Sequence, residues 1–82
     1  MKRIGVVGIV VTDRTVTPEL QKILSEFSDV IIGRMGLPRG EVSAISLIVE
    51  GSMERISALT GKLGKFPNIS VKSALTSHVI EE

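Results

Sequence analysis

The 82-residue sequence contains no cysteine, tryptophan or tyrosine, a single histidine and two phenylalanines. Each shortage removes a class of chemistry. Without cysteine there are no disulfides, no thiolate metal sites and no ligands for an iron–sulfur cluster. His78 has no partner at a metal-binding spacing and is expected to be a surface residue, so neither a metal nor a cofactor is expected. Phe27 and Phe66 fall on or just after helical segments, which leaves the sheet without the stacking platforms that RNA-binding sheets carry on central strands. Charge of one sign is lacking too. Ten basic and nine acidic residues leave a net charge of +1, spread along the chain with no basic arm or acidic tail, and direct nucleic-acid binding is not expected. The longest apolar stretch, Ile4 to Val11, falls far short of the roughly 20 residues that span a bilayer. Its glycines and β-branched residues, and the absence of a small-residue cleavage site before Thr12-Asp13-Arg14, argue against a signal peptide. A cytoplasmic location without a membrane segment is expected.

Catalytic motifs are equally scarce. Gly61-Lys62 lacks the upstream glycine and the following hydroxyl residue of a phosphate-binding loop. Gly5-Val6-Val7-Gly8 lies within a strand, where a dinucleotide fingerprint would lie in the turn after it. Close backbone approach across a sheet is the preferred explanation for those glycines. An acylphosphatase-like site would need an asparagine on the third strand, yet Asn68 lies elsewhere. No serine or threonine has a histidine partner outside the C-terminal tail. The sequence is therefore not expected to be that of an enzyme.

What the sequence has in quantity is aliphatic residues in strand and helix periods. Ile4 to Val11 is a short β-branched run, expected as a strand buried on both faces. Thr17 serves as N-cap and Pro18 as first residue of a helix running to Phe27, with Leu20, Ile23, Leu24 and Phe27 at the i, i+3, i+4 and i+7 positions of one stripe. Val30 to Met35 is a second strand, Gly36 to Glu41 a turn, and Val42 to Glu50 a third strand. On that third strand Ile45, Leu47 and Val49 share one face, and Ala44, Ser46, Ile48 and Glu50 the other. Ser52 caps a second helix whose stripe is Ile56, Leu59 and Leu63; Gly64 suits a left-handed C-terminal cap and Pro67 a stop. Ile69 to Thr76 is the fourth strand, and Ser77 to Glu82 a frayed or partner-docked tail. The order βαββαβ with right-handed crossovers gives one α+β domain over residues 1–82, a ferredoxin-like sandwich. Its antiparallel sheet has strand order 4-1-3-2 and two helices on one face. Arg34 and Lys72 then lie on the edge strands, where charge discourages aggregation.

Two helices cover one face of such a sheet, so the other should be polar. It is not. Ile4, Val6 and Val10 point one way while Val7, Ile9 and Val11 point the other, and Ile48 adds to the uncovered side, as does either Val30 with Ile32 or Ile31 with Met35. A chain this short buries only about 60–65% of its unfolded surface, and association is the remaining source of stability. A homo-oligomer, dimer or tetramer, is expected, with Ala44, Ser46, Ile48 and Arg34 as interface candidates. Three places could hold a small molecule: the loop Thr12-Asp13-Arg14-Thr15 beside a helix start, the segment Glu50-Gly51-Ser52, and Arg34 in an otherwise aliphatic strand. Capping and turn formation compete as explanations for the loops. For Arg34 the competing roles are an edge-strand gatekeeper and an intersubunit ion pair with Glu50 or Asp13.

Several segments carry a resemblance. These are Lys2-Arg3-Ile4-Gly5-Val6-Val7-Gly8-Ile9-Val10-Val11, Ile31-Ile32-Gly33-Arg34-Met35-Gly36, Ile45-Ser46-Leu47-Ile48-Val49-Glu50-Gly51, and Ala58-Leu59-Thr60-Gly61-Lys62-Leu63-Gly64 leading into Val71-Lys72-Ser73. Together they resemble the iron-only hydrogenase system regulators, a family similar to ACT-type regulatory domains and to the C-terminal domain of the nickel-responsive repressor. The resemblance implies an oligomeric ACT-like fold, a role in regulating hydrogenase assembly or expression, and a small-molecule effector near Thr12 to Thr15. It does not carry nickel sensing, because the histidines and cysteine of those sites are missing. A module that docks on a partner enzyme without any small ligand is the alternative.

Overall fold

The computed structural model describes residues 1–80. Its elements are β1 (Lys2–Val11), a 3₁₀ turn (Arg14–Val16), α1 (Thr17–Glu26), β2 (Ile31–Arg39), β3 (Val42–Gly51), α2 (Met53–Leu63) and β4 (Ile69–Ile80). The four strands form one antiparallel sheet in the order β2-β3-β1-β4, the ferredoxin-like order expected from the pattern.

The period-2 alternation of β1 and β3 divides their side chains as the sequence implies. Val7, Ile9 and Val11 on β1 and Ile45, Leu47 and Val49 on β3 are buried beneath the helices. Leu20, Ile23, Leu24 and Phe27 from the first helical segment and Ile56, Leu59 and Leu63 from α2 close over them. The core holds no buried polar or charged residue among the described residues. It is aliphatic with Phe27 as its aromatic member.

Several local expectations differ from the structure. Thr17 does not cap α1. The side chain of Asp13 instead accepts from the Thr15 N–H and starts a 3₁₀ turn that feeds directly into the helix. Pro18 then occupies the first turn, where its missing N–H costs no hydrogen bond. Gly64 is not left-handed: its φ is −68°, and the chain leaves α2 through the i→i−3 bonds Lys65 N–H to Lys62 O and Phe66 N–H to Leu63 O. The turn expected over Gly36 to Glu41 shrinks to Gly40-Glu41, because Leu37-Pro38-Arg39 continues β2 opposite Ala44, Ser43 and Val42. Proline is tolerated there because β2 is an edge strand. Gly40 takes a positive φ of 63° at the first turn position, where two-residue hairpins favour glycine. The tail expected from Ser77 onward is strand as far as Ile80, pairing Arg3 with Val79 and Lys2 with Ile80 after a register shift. His78 therefore lies in β4, and residues 81–82 lie outside the described residues.

Candidate functional site

At the end of β1 the chain must leave the sheet, and polar residues take over from valine. The Thr12 N–H donates to the Asn68 carbonyl at 2.9 Å, and the Thr12 hydroxyl donates to the same oxygen at 3.2 Å. Asp13 Oδ1 accepts from the Thr15 N–H at 2.9 Å and from its hydroxyl at 2.8 Å. Asp13 Oδ2 accepts from Asn68 Nδ2 at 3.4 Å. The loop after β1 is thus bound to the residue that leads into β4, and both ends are held at one pole of the sheet.

The tip of the β2–β3 hairpin, Gly40-Glu41, lies at the same pole. Together these segments line an open cleft of about 600 Å³ formed by Thr12 to Thr15, Gly40, Glu41 and Asn68. Arg14 is exposed; its carbonyl accepts from the Thr17 N–H, but its guanidinium, unlike the Asp13 carboxylate, has no hydrogen bond or ion pair within the described residues. The two Thr15 hydrogen bonds hold the Asp13 carboxyl below the usual carboxylate range, since they stabilise its charged form. The cleft therefore presents a guanidinium with five donors, an ionised aspartate and the Glu41 side chain on one concave surface.

The remaining candidate residues are elsewhere. Arg34 lies on the helix-covered side of β2, paired with Leu47, and its Nη2 donates to Gln21 Oε1 of α1 at 3.1 Å. A one-residue register shift between Ile31 and Gly33 places it there. It does not share a face with Ala44, Ser46 and Ile48. Gly51 and Ser52 sit at the opposite pole, beside the start of β1. Gly51 is buried against Val30, and Ser52 Oγ accepts from the Arg55 N–H at 3.2 Å as the cap of α2. Asn68, Gly40 and Glu41 carry no sign of a site in the sequence. The Asp13-x-Thr15 spacing, typical of an aspartate capping a turn, is the one local sign that this loop is built rather than loose.

A second polar cluster joins the two helices. Arg55 donates to both carboxylate oxygens of Asp29, at 2.7 and 3.1 Å, and lies 4.3 Å from the centre of the Phe27 ring. Lys62 Nζ pairs with Glu26 Oε2 at 2.8 Å. These hydrogen bonds lower the pKa values of Asp29 and Glu26 and raise that of Arg55. No group of three or more potential metal ligands is present among the described residues. No helix among them is long and apolar enough to cross a membrane.

Residues 3–73 match the model of the TM1266-like family, described provisionally as iron-only hydrogenase system regulators. No curated protein matches the chain. The uncharacterized protein TM1266 from Thermotoga maritima has a similar structure, with a TM-score of 0.87, 32% identity, and coverage of 92% of this chain and 98% of that one. The ACT domain from GTP pyrophosphokinase of Chlorobium tepidum superposes with a TM-score of 0.78 at 17% identity, covering 90% of this chain and 100% of that one. The C-terminal domain of the MgtC protein from Mycobacterium tuberculosis does so with 0.69 at 12% identity, covering 98% and 94%. The last two likenesses concern the fold alone.

Proposed function

The chain belongs to the TM1266-like family of iron-only hydrogenase system regulators, and from that premise we propose that it is a non-enzymatic regulatory module that takes a small effector in the cleft beside Arg14. The observation that carries this reading is the side-chain arrangement at the pole of the sheet. The Arg14 guanidinium has no internal partner among the described residues, while Asp13, held ionised, and Glu41 line the same cleft. A guanidinium fork suits a carboxylate, and carboxylates nearby suit an ammonium group. The chemistry matches a free amino acid or a similar small zwitterion. The cleft is built on the loop that follows β1, the residue that precedes β4 and a tight hairpin turn, so its groups are held just beyond strand ends, and the effector would stiffen the junction between Asp13 and Asn68.

The test is a thermal-unfolding screen of the whole chain against the free amino acids and simple carboxylates. A ligand at about 100 times its Kd adds about 2.7 kcal/mol to stability, which for a domain of this size is a midpoint rise of roughly 10–20 °C. Arg14→Ala is expected to unfold at the unliganded wild-type midpoint and to lose that rise. A screen in which nothing shifts the wild type, or a shift that survives Arg14→Ala, rejects the effector reading. A second reading, a module that docks on a partner enzyme without a small ligand, draws on the bare apolar side of the sheet. It predicts no response anywhere in the screen and a stoichiometric enzyme partner on purification.

A further inference from the structure

The helix-free face of the sheet is the largest feature left unused by the effector cleft. Register fixes its members. Val6, Gly8 and Val10 from β1 lie beside Ile48, Ser46 and Ala44 from β3, with Met35 and Leu37 of β2 on one flank and Ser70, Lys72 and Ala74 of β4 on the other. Val6 and Val10 are each 41% exposed, Ile48 37%, Leu37 53% and Met35 71%.

The relief of this face is specific. Met35 and Leu37 stand up as a ridge on β2. Next to them runs an apolar trough of about 420 Å³ floored by Gly8, Ala44 and Ser46 and bounded by Lys72. Gly8 is not demanded by crowding. A Cβ there would come no closer than 3.8 Å to the Lys72 carbonyl oxygen, so the strand itself would accept a side chain. The missing side chain keeps the trough open.

We propose that this face is a two-fold interface with a second copy of the chain, in which the Met35–Leu37 ridge of each copy seats in the trough over Gly8 of the other. Ridge and trough lie side by side on one surface, the arrangement that a self-complementary two-fold contact requires. The centre of the face is uncharged, and its charges, Lys2, Arg39, Glu50 and Lys72, stand at strand ends or on an edge strand. That is the anatomy of an apolar interface core with a polar rim. The rim carries both signs, whereas a lipid or nucleic-acid surface would call for basic residues alone. Size agrees as well. Four strands about 4.8 Å apart and about nine residues long at about 3.4 Å each present roughly 600 Å² per copy. The total of roughly 1,200 Å² clears the area of about 1,000 Å² that a stable interface needs. Packed sheets of this kind lie about 10 Å apart with strands within about 30° of each other.

The experiment is sedimentation equilibrium of the whole chain and of Gly8→Leu, with circular dichroism and urea unfolding to confirm the fold. The wild type is expected to be a dimer at micromolar concentration. Filling the trough unseats an aliphatic side chain at both symmetric positions, so Gly8→Leu should raise the dimer Kd about 100-fold or more. Adding Met35→Ala to Gly8→Leu, which trims the ridge, should recover part of that loss. Met35→Lys is the second disruptor and stands in if Gly8→Leu does not fold. A monomeric wild type, a dimer indifferent to both disruptors, or a chain that pairs with a different protein and not with itself overturns the proposal. None of these outcomes depends on the amino-acid screen, so the interface and the effector cleft stand or fall separately.

Discussion

At Gly5 the sheet has no space for a side chain. A Cβ there would lie 2.8 Å from the Ala74 carbonyl oxygen and would run into Leu75. The backbone cannot give way without opening the β1–β4 ladder, so Gly5→Ala is expected to cost about 1–3 kcal/mol, the range for overpacking a tight site. Gly61 is the contrast. It sits on the exposed side of α2, and a methyl group added there would meet nothing within 4 Å, so Gly61→Ala should add about 0.5–1 kcal/mol through helix propensity. Urea unfolding of the two variants beside the wild type checks both signs, and equal effects would refute the distinction. The sequence shows these glycines alike. Close approach across the sheet is the sequence-based expectation for both Gly5 and Gly8, and it holds for Gly5 alone, which lies where β4 shifts register against β1. The loop residues Thr12, Asp13 and Arg14 are legible because polarity begins abruptly after an apolar strand. Asn68, which closes the same cleft, is not: 56 residues separate it from Thr12, and only the folded sheet makes them neighbours.

The elements themselves are legible from their periods, whereas their irregularities are not. A single extra residue in β2 between Ile31 and Gly33 changes which side chains face the helices. Neither alternation inferred for that strand describes it, since a one-residue slip reverses every following position. Arg34 thereby moves from the open face to the side of α1. The two helices carry a further consequence in the Arg55–Asp29 and Lys62–Glu26 pairs. Asp29 and Glu26 have folded pKa values below their ordinary values of 3.8 and 4.5. A depressed carboxylate stabilises the fold above its unfolded pKa and loses that contribution as pH falls through the folded value. Stability is therefore expected to be level above about pH 4.5 and to decline below it. Asp29→Asn should lower the midpoint at neutral pH and flatten the acid limb. Because the pairs are exposed, salt at about 1 M should shrink the difference between variant and wild type. Thermal unfolding across pH, with and without salt, measures each part, and an Asp29→Asn profile parallel to that of the wild type would remove the pair from the account.

At the scale of the whole molecule, the fold is a two-layer sandwich whose second sheet face has no cover within the described residues. A chain of 82 residues buries too little surface to be indifferent to this, so folding and association are expected to be coupled. The signature is mass action. If the native state is a dimer and the unfolded state a monomer, each tenfold rise in protein concentration adds about 1.4 kcal/mol per dimer to the stability of the native state. Shared between two chains of this size, that is a midpoint increase of roughly 3–6 °C per tenfold. Gly8→Leu should show a midpoint that moves much less with concentration, because its dimer is at least about 100-fold weaker. Amino acids bound beside Arg14 would raise the midpoints of both proteins alike, since that cleft lies at the pole of the sheet and is lined by loop and turn residues, not by the open face. Calorimetry over a roughly hundredfold concentration range therefore separates the two sources of stabilisation. A wild-type midpoint that stays constant over that range would leave the exposed valines, Ile48 and the β2 ridge as surface that the isolated fold tolerates without a partner.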